Sequence, residues 1–288
     1  MERKNFIGGS DIAVIAGLSK YKTPLELYLE KRGEINPSED NRILRLGRKL
    51  ESLIAEEYTI ETGEKLRKVN KPLVDKKYPF LQGHIDRLVV GKNKFLEIKS
   101  TRFAKKDEWN ENKIPDSYML QVQFYFGLSD FEECAVPLLE AGQSLKIYRV
   151  EKDEELIRNI KTLAIDFWDK IQKGEIPDPI SENDCKLLYD TKKGKSIVAN
   201  SEISQKIIDL KKAKSEIKKF EKIASDLSNE IKIYCQDNEI LVDNNNTTLA
   251  TLNISKSERI NLDRLRKEQP EIAREYTEQS KTITLRIK

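Results

Sequence analysis

Gln82-Gly83-His84-Ile85-Asp86-Arg87-Leu88-Val89-Val90 and Lys94-Phe95-Leu96-Glu97-Ile98-Lys99 are two short strand-forming runs joined by Gly91-Lys92-Asn93. Such runs around a glycine-containing turn predict a β-hairpin. Successive strand side chains point to opposite faces, so Glu97 and Lys99 share one face while Leu96 and Ile98 take the other. A hairpin centred near Lys92 and Asn93 sets Asp86 across from Lys99 and one diagonal from Glu97, gathering two carboxylates and an ammonium onto one patch. Carboxylate oxygens suit magnesium or manganese, and a cation held by only two or three side chains keeps positions open for phosphate and water. Alternating charge on a strand is also the pattern of a solvated face. Phe95, Leu96 and Ile98 favour a buried strand, where unpaired charge is costly and points to function.

Upstream, Gly8-Gly9-Ser10 opens onto a short apolar helix over 11–16 with Gly17 as its stop and Ser10 as the expected N-cap. Thr23-Pro24-Leu25-Glu26 combines a capping threonine, a proline at the first helical position and a glutamate at the third, and Gly33 ends that helix. Leu46, Leu50, Leu53, Ile54 and Tyr58 predict a further helix over 42–61, with Glu51 beside its inward stripe. Downstream come a basic loop to Pro115, a helix over 116–128, strands over 134–138 and 145–150, and a long helix over 153–173 ending at Gly174. Pro177-Asp178-Pro179 marks a boundary. The order of elements predicts an α/β core, a mixed sheet flanked by helices, over 1–180.

Beyond residue 200, Ile203, Leu210, Ile217, Ala224 and Ile231 recur every seven residues, and Ala213, Phe220, Leu227 and Tyr234 fill the second apolar slot. This heptad helix, in a coiled coil or a helical hairpin, heads a C-terminal segment over 181–288. Strands over 240–242 and 247–254, a helix over 262–276 and a last strand through Ile283, Leu285 and Ile287 complete a small α+β module.

The 288 residues carry 52 basic against 49 acidic side chains, a net charge of +3. At roughly 150 residues per domain this is room for about two domains. No apolar run approaches the roughly 18 to 20 residues of a membrane span, and residues 1–19 have no signal-peptide pattern, so the expected location is the cytoplasm. Cys134, Cys185 and Cys235 form no CxxC, which argues against a disulfide framework, a four-thiolate zinc site and an iron–sulfur cluster. His84 is the single histidine and reads as a strand side chain rather than a base or ligand, so carboxylates and lysines must carry any chemistry. Between Arg87 and Lys113, eight basic residues, including Arg102, Lys105 and Lys106, face only four acidic ones, a bias that can track phosphates. Trp109 in this stretch either stacks on a base or serves in a core or lid.

The Asp86…Glu97-Ile98-Lys99 arrangement resembles the core of the PD-(D/E)XK nucleases. Ile7-Gly8-Gly9-Ser10-Asp11, Leu46-Gly47-Arg48-Lys49-Leu50-Glu51, Gly83-His84-Ile85-Asp86 and Ser117-Tyr118-Met119-Leu120-Gln121-Val122-Gln123-Phe124 resemble the lambda-exonuclease and YqaJ viral-recombinase branch, in order and spacing over 1–180. Ile85 stands where the superfamily motif has proline. The resemblance implies that Asp86 and Glu97 bind catalytic Mg2+ or Mn2+ with the Ile98 carbonyl, that Glu51 completes a site for two ions, and that Lys99 activates water and stabilises developing charge. It makes Gln121 the helix glutamine beside the lysine; an ordinary polar helix residue is the competing reading. Tyr118 and Tyr125, three before and four after Gln121, read as packing aromatics on the same helix face. Arg3 and Ser10 resemble a pocket for a terminal 5′-phosphate; simple capping is the competing reading of Ser10. The implied activity is a 5′-to-3′ deoxyribonuclease acting on ends of linear double-stranded DNA, which leaves 3′ single strands for a phage-type recombinase. A single-strand annealing protein as partner, a ring-shaped homotrimer and a phage or prophage origin in a bacterial host follow from the same resemblance. An endonuclease or RecB-type nuclease and a catalytically silent DNA-end-binding scaffold are the alternatives.

Overall fold

Capping groups set where the N-terminal helices begin in the computed structural model, which describes residues 3–37, 41–105, 107–110, 113–189, 195–278 and 282–287. In α1 (Gly9–Ile15) the N-cap is Gly8, whose N–H donates to the Asp11 carboxylate at 2.9 Å. Ser10 therefore lies inside the first turn and is not the cap: the helix starts one residue before it, with Gly8 at the N-cap and the Asp11 carboxylate satisfying the Gly8 N–H. In α2 (Pro24–Arg32) the expected box is complete: Thr23 Oγ1 accepts from the Glu26 N–H at 3.1 Å and the Glu26 carboxylate from the Thr23 N–H at 2.9 Å. Asn41 caps α3 (Arg42–Thr62), which ends at Gly63. This helix buries Ile54, Ala55 and Tyr58, whereas Leu46 and Leu53 are nearly half exposed. At 100° per residue both lie about 80–100° round the helix from Ile54, on its flank.

The main sheet is mixed. β1 (Leu66–Lys68) pairs antiparallel with β4 (Arg87–Val89), and β4 with β5 (Lys94–Leu96). β5 and then β6 (Lys99–Thr101) run parallel to β7 (Glu133–Glu140), whose other side carries β8 (Ser144–Glu151). Of residues 82–90 only the second half joins the hairpin; β3 (Gln82–Gly83) instead pairs with β2 (Leu73–Val74). Arg87 faces Leu96 and Leu88 faces Phe95, so the reversal is centred between Gly91, at φ 78°, and Lys92. This register differs from the expected one by two residues and directs Asp86 towards Glu97 rather than Lys99.

Alternation along the strands supplies two cores. Phe95, Cys134, Val136 and Leu138 pack with α1, α2, α4 (Asp116–Gly127) and α5 (Glu154–Lys173). Leu96, Ile98, Ala135 and Leu139 pack on the other side against Ile54 and Tyr58 of α3.

The chain divides into units of residues 1–188 and 189–288. α6 (Glu182–Leu188), beyond the proline boundary, stays with the first unit: the wholly buried Asp184 accepts from Thr23 Oγ1 at 2.6 Å and from the Ile180 and Ser181 N–H groups. The second unit holds α7 (Ser201–Cys235), the antiparallel pair β9 (Ile240–Val242) and β10 (Thr248–Thr251), α8 (Leu262–Glu268) and α9 (Pro270–Glu275). The helix expected over 262–276 is divided because Pro270 has no N–H to continue it and starts a new one. Ile283, Leu285 and Ile287 form no strand; β9 and β10 pair with each other and leave the run without a ladder among the described residues. No helix of the described residues is long and apolar enough to cross a membrane.

Candidate active site

A two-residue interruption between β5 and β6 builds the site. At Glu97 and Ile98 the regular ladder lapses, and the Ile98 N–H donates to Asp86 Oδ2 at 2.6 Å. This contact fixes Asp86, just ahead of β4, against the strand that carries Glu97. Glu97 is buried at 3 % exposure, and its Oε1 accepts from Lys99 Nζ at 2.6 Å and from Gln121 Nε2 at 2.7 Å. Lys99 Nζ also donates to Gln121 Oε1 at 3.1 Å and lies 4.5 Å from the centre of the Tyr118 ring. Gln121 Nε2 donates in addition to Tyr125 Oη at 2.8 Å. The structure thus brings Asp86, Glu97, Ile98, Lys99 and Gln121 together, and Glu51 on α3 is near enough to act on the ionisation of Glu97.

Burial dominates the electrostatics. It raises the Glu97 carboxyl to about 7, with Asp86 and Glu51 adding to the effect and Lys99 opposing it. Asp86 is raised by burial against the pull of the Ile98 N–H and Lys99, and Glu51 by burial and then by Asp86. For Lys99 burial works downward, but Glu97 outweighs it and the net direction is up, so the ammonium keeps its proton.

Among the described residues no group of three or more His, Cys, Asp and Glu side chains forms a ready-made metal cage. The donor chemistry nevertheless fits a hard cation. Glu97 Oε2 is buried with no hydrogen-bond partner, an arrangement that costs the full desolvation of an acceptor unless something fills it. Three carboxyl groups driven towards neutrality beside that oxygen are what a divalent cation would reverse.

The second predicted cluster is also assembled in part. Arg3 Nη2 donates to Ser10 Oγ at 3.0 Å. Arg102 is exposed beside the Phe103 ring and lines a trough of about 440 Å³ with Leu46, Leu50 and Phe103. Lys105 is exposed and 3.9 Å from Glu108, and Lys106 lies outside the described residues. Trp109 is buried against Tyr118 and Tyr148, which makes it a core residue rather than a base-stacking one. His84 is exposed between β3 and β4, outside any strand.

Residues 1–132 match the model of the YqaJ-like viral recombinase domain. The chain is 34% identical over 248 residues to the uncharacterized protein YqaJ of Bacillus subtilis (strain 168), covering 83% of this chain and 78% of that one. The chain belongs to the YqaJ-like viral recombinase family. Its fold is similar to that of an alkaline exonuclease of Laribacter hongkongensis, whose complex with dAMP superposes with a TM-score of 0.50 at 21% identity, covering 60% of this chain and 90% of that one. A phage related exonuclease from Haemophilus somnus 129PT gives a TM-score of 0.46 at 17% identity, over 59% and 96% of the two chains.

Two residues of this cluster carry no sequence signal of their own beyond that of packing aromatics. Tyr118 and Tyr125 do pack, but Tyr118 also faces Lys99 and Tyr125 holds Gln121. The signal for Tyr125 lies in two glycines far from it in sequence. A Cβ on Gly9 would stand 2.5 Å from the Tyr125 ring and one on Gly83 2.6 Å, so both positions must be bare to admit it.

Proposed function

We propose that this YqaJ-like protein is a metal-dependent deoxyribonuclease, a 5′-to-3′ exonuclease that resects linear double-stranded DNA to 3′ single-stranded tails for recombination. The observation that carries the reading is the orphaned, buried Glu97 Oε2 beside Asp86 and Lys99. Asp86, Glu97 and the Ile98 carbonyl are the groups to hold Mg2+ or Mn2+, and Glu51 the group to extend the site to a second ion. Bound there, the cations supply Lewis acidity towards the scissile phosphate and an acidified water. Lys99, held protonated, neutralises charge that develops on the phosphate. Gln121 contacts both Glu97 and Lys99 and fixes their relative position. Arg3, with Ser10, offers a guanidinium for the 5′-phosphate of a DNA end. Arg102, Lys105 and Lys106 supply charge for the backbone. The dAMP complex of the Laribacter hongkongensis enzyme supports a nucleotide-binding role on this fold. A single-strand annealing partner and a homotrimeric ring belong to the same proposal.

The test uses linear duplex labelled at either end, with 5′-phosphate or 5′-hydroxyl termini, beside closed circular DNA, in magnesium or EDTA, with Glu97→Ala as control. Magnesium-dependent loss from 5′ ends, with the circle spared and the variant inactive, is the expected result. Cutting of the circle would make the protein an endonuclease, and end binding without cutting a silent scaffold.

A further inference from the structure

An ammonium has three protons, and Lys31 on α2 places all three: on the Arg3 carbonyl at 2.8 Å, the Phe6 carbonyl at 2.6 Å and Asp11 Oδ2 at 2.7 Å. The two carbonyls bracket the 3₁₀ turn Arg3–Asn5, so one side chain of the second helix ties down the segment that carries Arg3. The pair is buried, with side-chain exposures of 1% for Lys31 and 4% for Asp11. Burying two charges is expensive, and an aliphatic pair of similar volume would commonly stabilise as well or better, so stability alone is a weak account of it. Asp11 is also shared. Its Oδ2 accepts from the Gly8 N–H at 2.9 Å, and its Oδ1 lies 3.6 Å from Arg3 Nη2, the same nitrogen that donates to Ser10 Oγ. Left without Lys31, that carboxylate would compete with any incoming anion for the guanidinium. The Arg3 side chain remains 60% exposed and so can meet an anion from solvent.

We infer that Lys31 is a positioning residue: with Asp11 it holds Arg3 in place and neutralises the carboxylate behind it, and so sets the preference for DNA ends that bear a 5′-phosphate. The inference rests on the reading of Arg3 and Ser10 as the terminal-phosphate site and assigns what makes that site selective.

The experiment measures affinity of the full chain in EDTA, by fluorescence anisotropy, for duplexes with 5′-phosphate and with 5′-hydroxyl ends. Arg3→Ala sets the baseline. Lys31→Met is expected to lower the phosphate-to-hydroxyl affinity ratio by about tenfold, roughly the loss of one hydrogen bond to a charged group. Affinity for the hydroxyl end should stay as in the unmodified protein. A folded Lys31→Met that keeps the original ratio overturns the inference, and so does one that weakens both ends equally, which is the mark of a merely structural role. If Lys31→Met loses the tryptophan emission of the folded chain, Lys31→Gln, which keeps an N–H donor for the two carbonyls but leaves the Asp11 charge unneutralised, carries the test, with a fall in the same ratio expected and an unchanged ratio again fatal. Should Arg3→Ala leave the ratio intact, the phosphate-site reading itself falls, an outcome separable from failure at Lys31 alone.

Discussion

Gly9 and Gly83 show how single positions govern the site. Each lies under the Tyr125 ring, and Tyr125 accepts the Gln121 amide that also binds Glu97. Gly9 is helical, where alanine would ordinarily gain up to about 1 kcal/mol in propensity. Overpacking should reverse that sign: Gly9→Ala is expected to destabilise by about 1–3 kcal/mol and to lower nuclease activity as Tyr125 leaves Gln121. Urea unfolding followed by tryptophan emission, together with the rate on linear duplex, checks both. Glu64 makes a second residue-scale case, away from the site. Burial would raise its carboxyl, but hydrogen bonds from Lys92, Tyr58 and Lys94 outweigh it and hold the group at about 2. A folded-state value below the ordinary one contributes stability at pH above about 4.5 that disappears as pH falls towards 2. The contribution is of order 2–3 kcal/mol. Glu64→Gln should therefore unfold more easily at pH 7 and show a flatter pH dependence between pH 4.5 and 2 than the unmodified chain.

At the scale of elements, the interruption between β5 and β6 matters most. A continuous strand would have spent the Ile98 N–H on a ladder; here it is spent on Asp86, and this is how the carboxylate is held. The α2 N-terminus has a comparable double use, since Thr23 Oγ1 accepts from Glu26 and donates to the buried Asp184 of α6. Thr23→Ala removes a cap and strands a buried carboxylate oxygen, at a cost of about 1–3 kcal/mol. It should also release α6, seen as faster amide hydrogen exchange and earlier proteolysis over 180–188, with α5 still protected.

At the scale of the whole molecule, both hydrophobic clusters lie within residues 7–188. Trp109 and Trp168, the two tryptophans of the chain, lie there as well, so their emission reports on the first unit. A chain truncated after Leu188 is expected to fold, with one cooperative urea transition and the emission maximum of the full chain. Truncation at Pro179 should be less stable, because it removes Asp184 and leaves Thr23 Oγ1 without its acceptor.

Short-range chemistry was legible in the sequence. The capping box at Thr23, the glycine stop at Gly63, the long helix ended by Gly174 and the alternation that separates Glu97 and Lys99 from Leu96 and Ile98 all depend on neighbours within a turn or a strand. The chemical types of the site were legible too, since a single histidine and unpaired cysteines left carboxylates and a lysine to carry any chemistry, and the apolar Phe95, Leu96 and Ile98 around them set this run apart from a solvated face. What tertiary structure alone decided was every relation set by distant partners. The hairpin register came from where Gly91 turns the chain, the start of α1 from an Asp11 that also pairs with Lys31, and the end of the first unit from an Asp184 caught by Thr23. Tyr125 reached the site because two glycines far apart in the chain, Gly9 and Gly83, leave room for its ring. Hydrogen bonds and excluded volume between segments far apart in the chain have no local periodicity, and periodicity is what a single sequence displays.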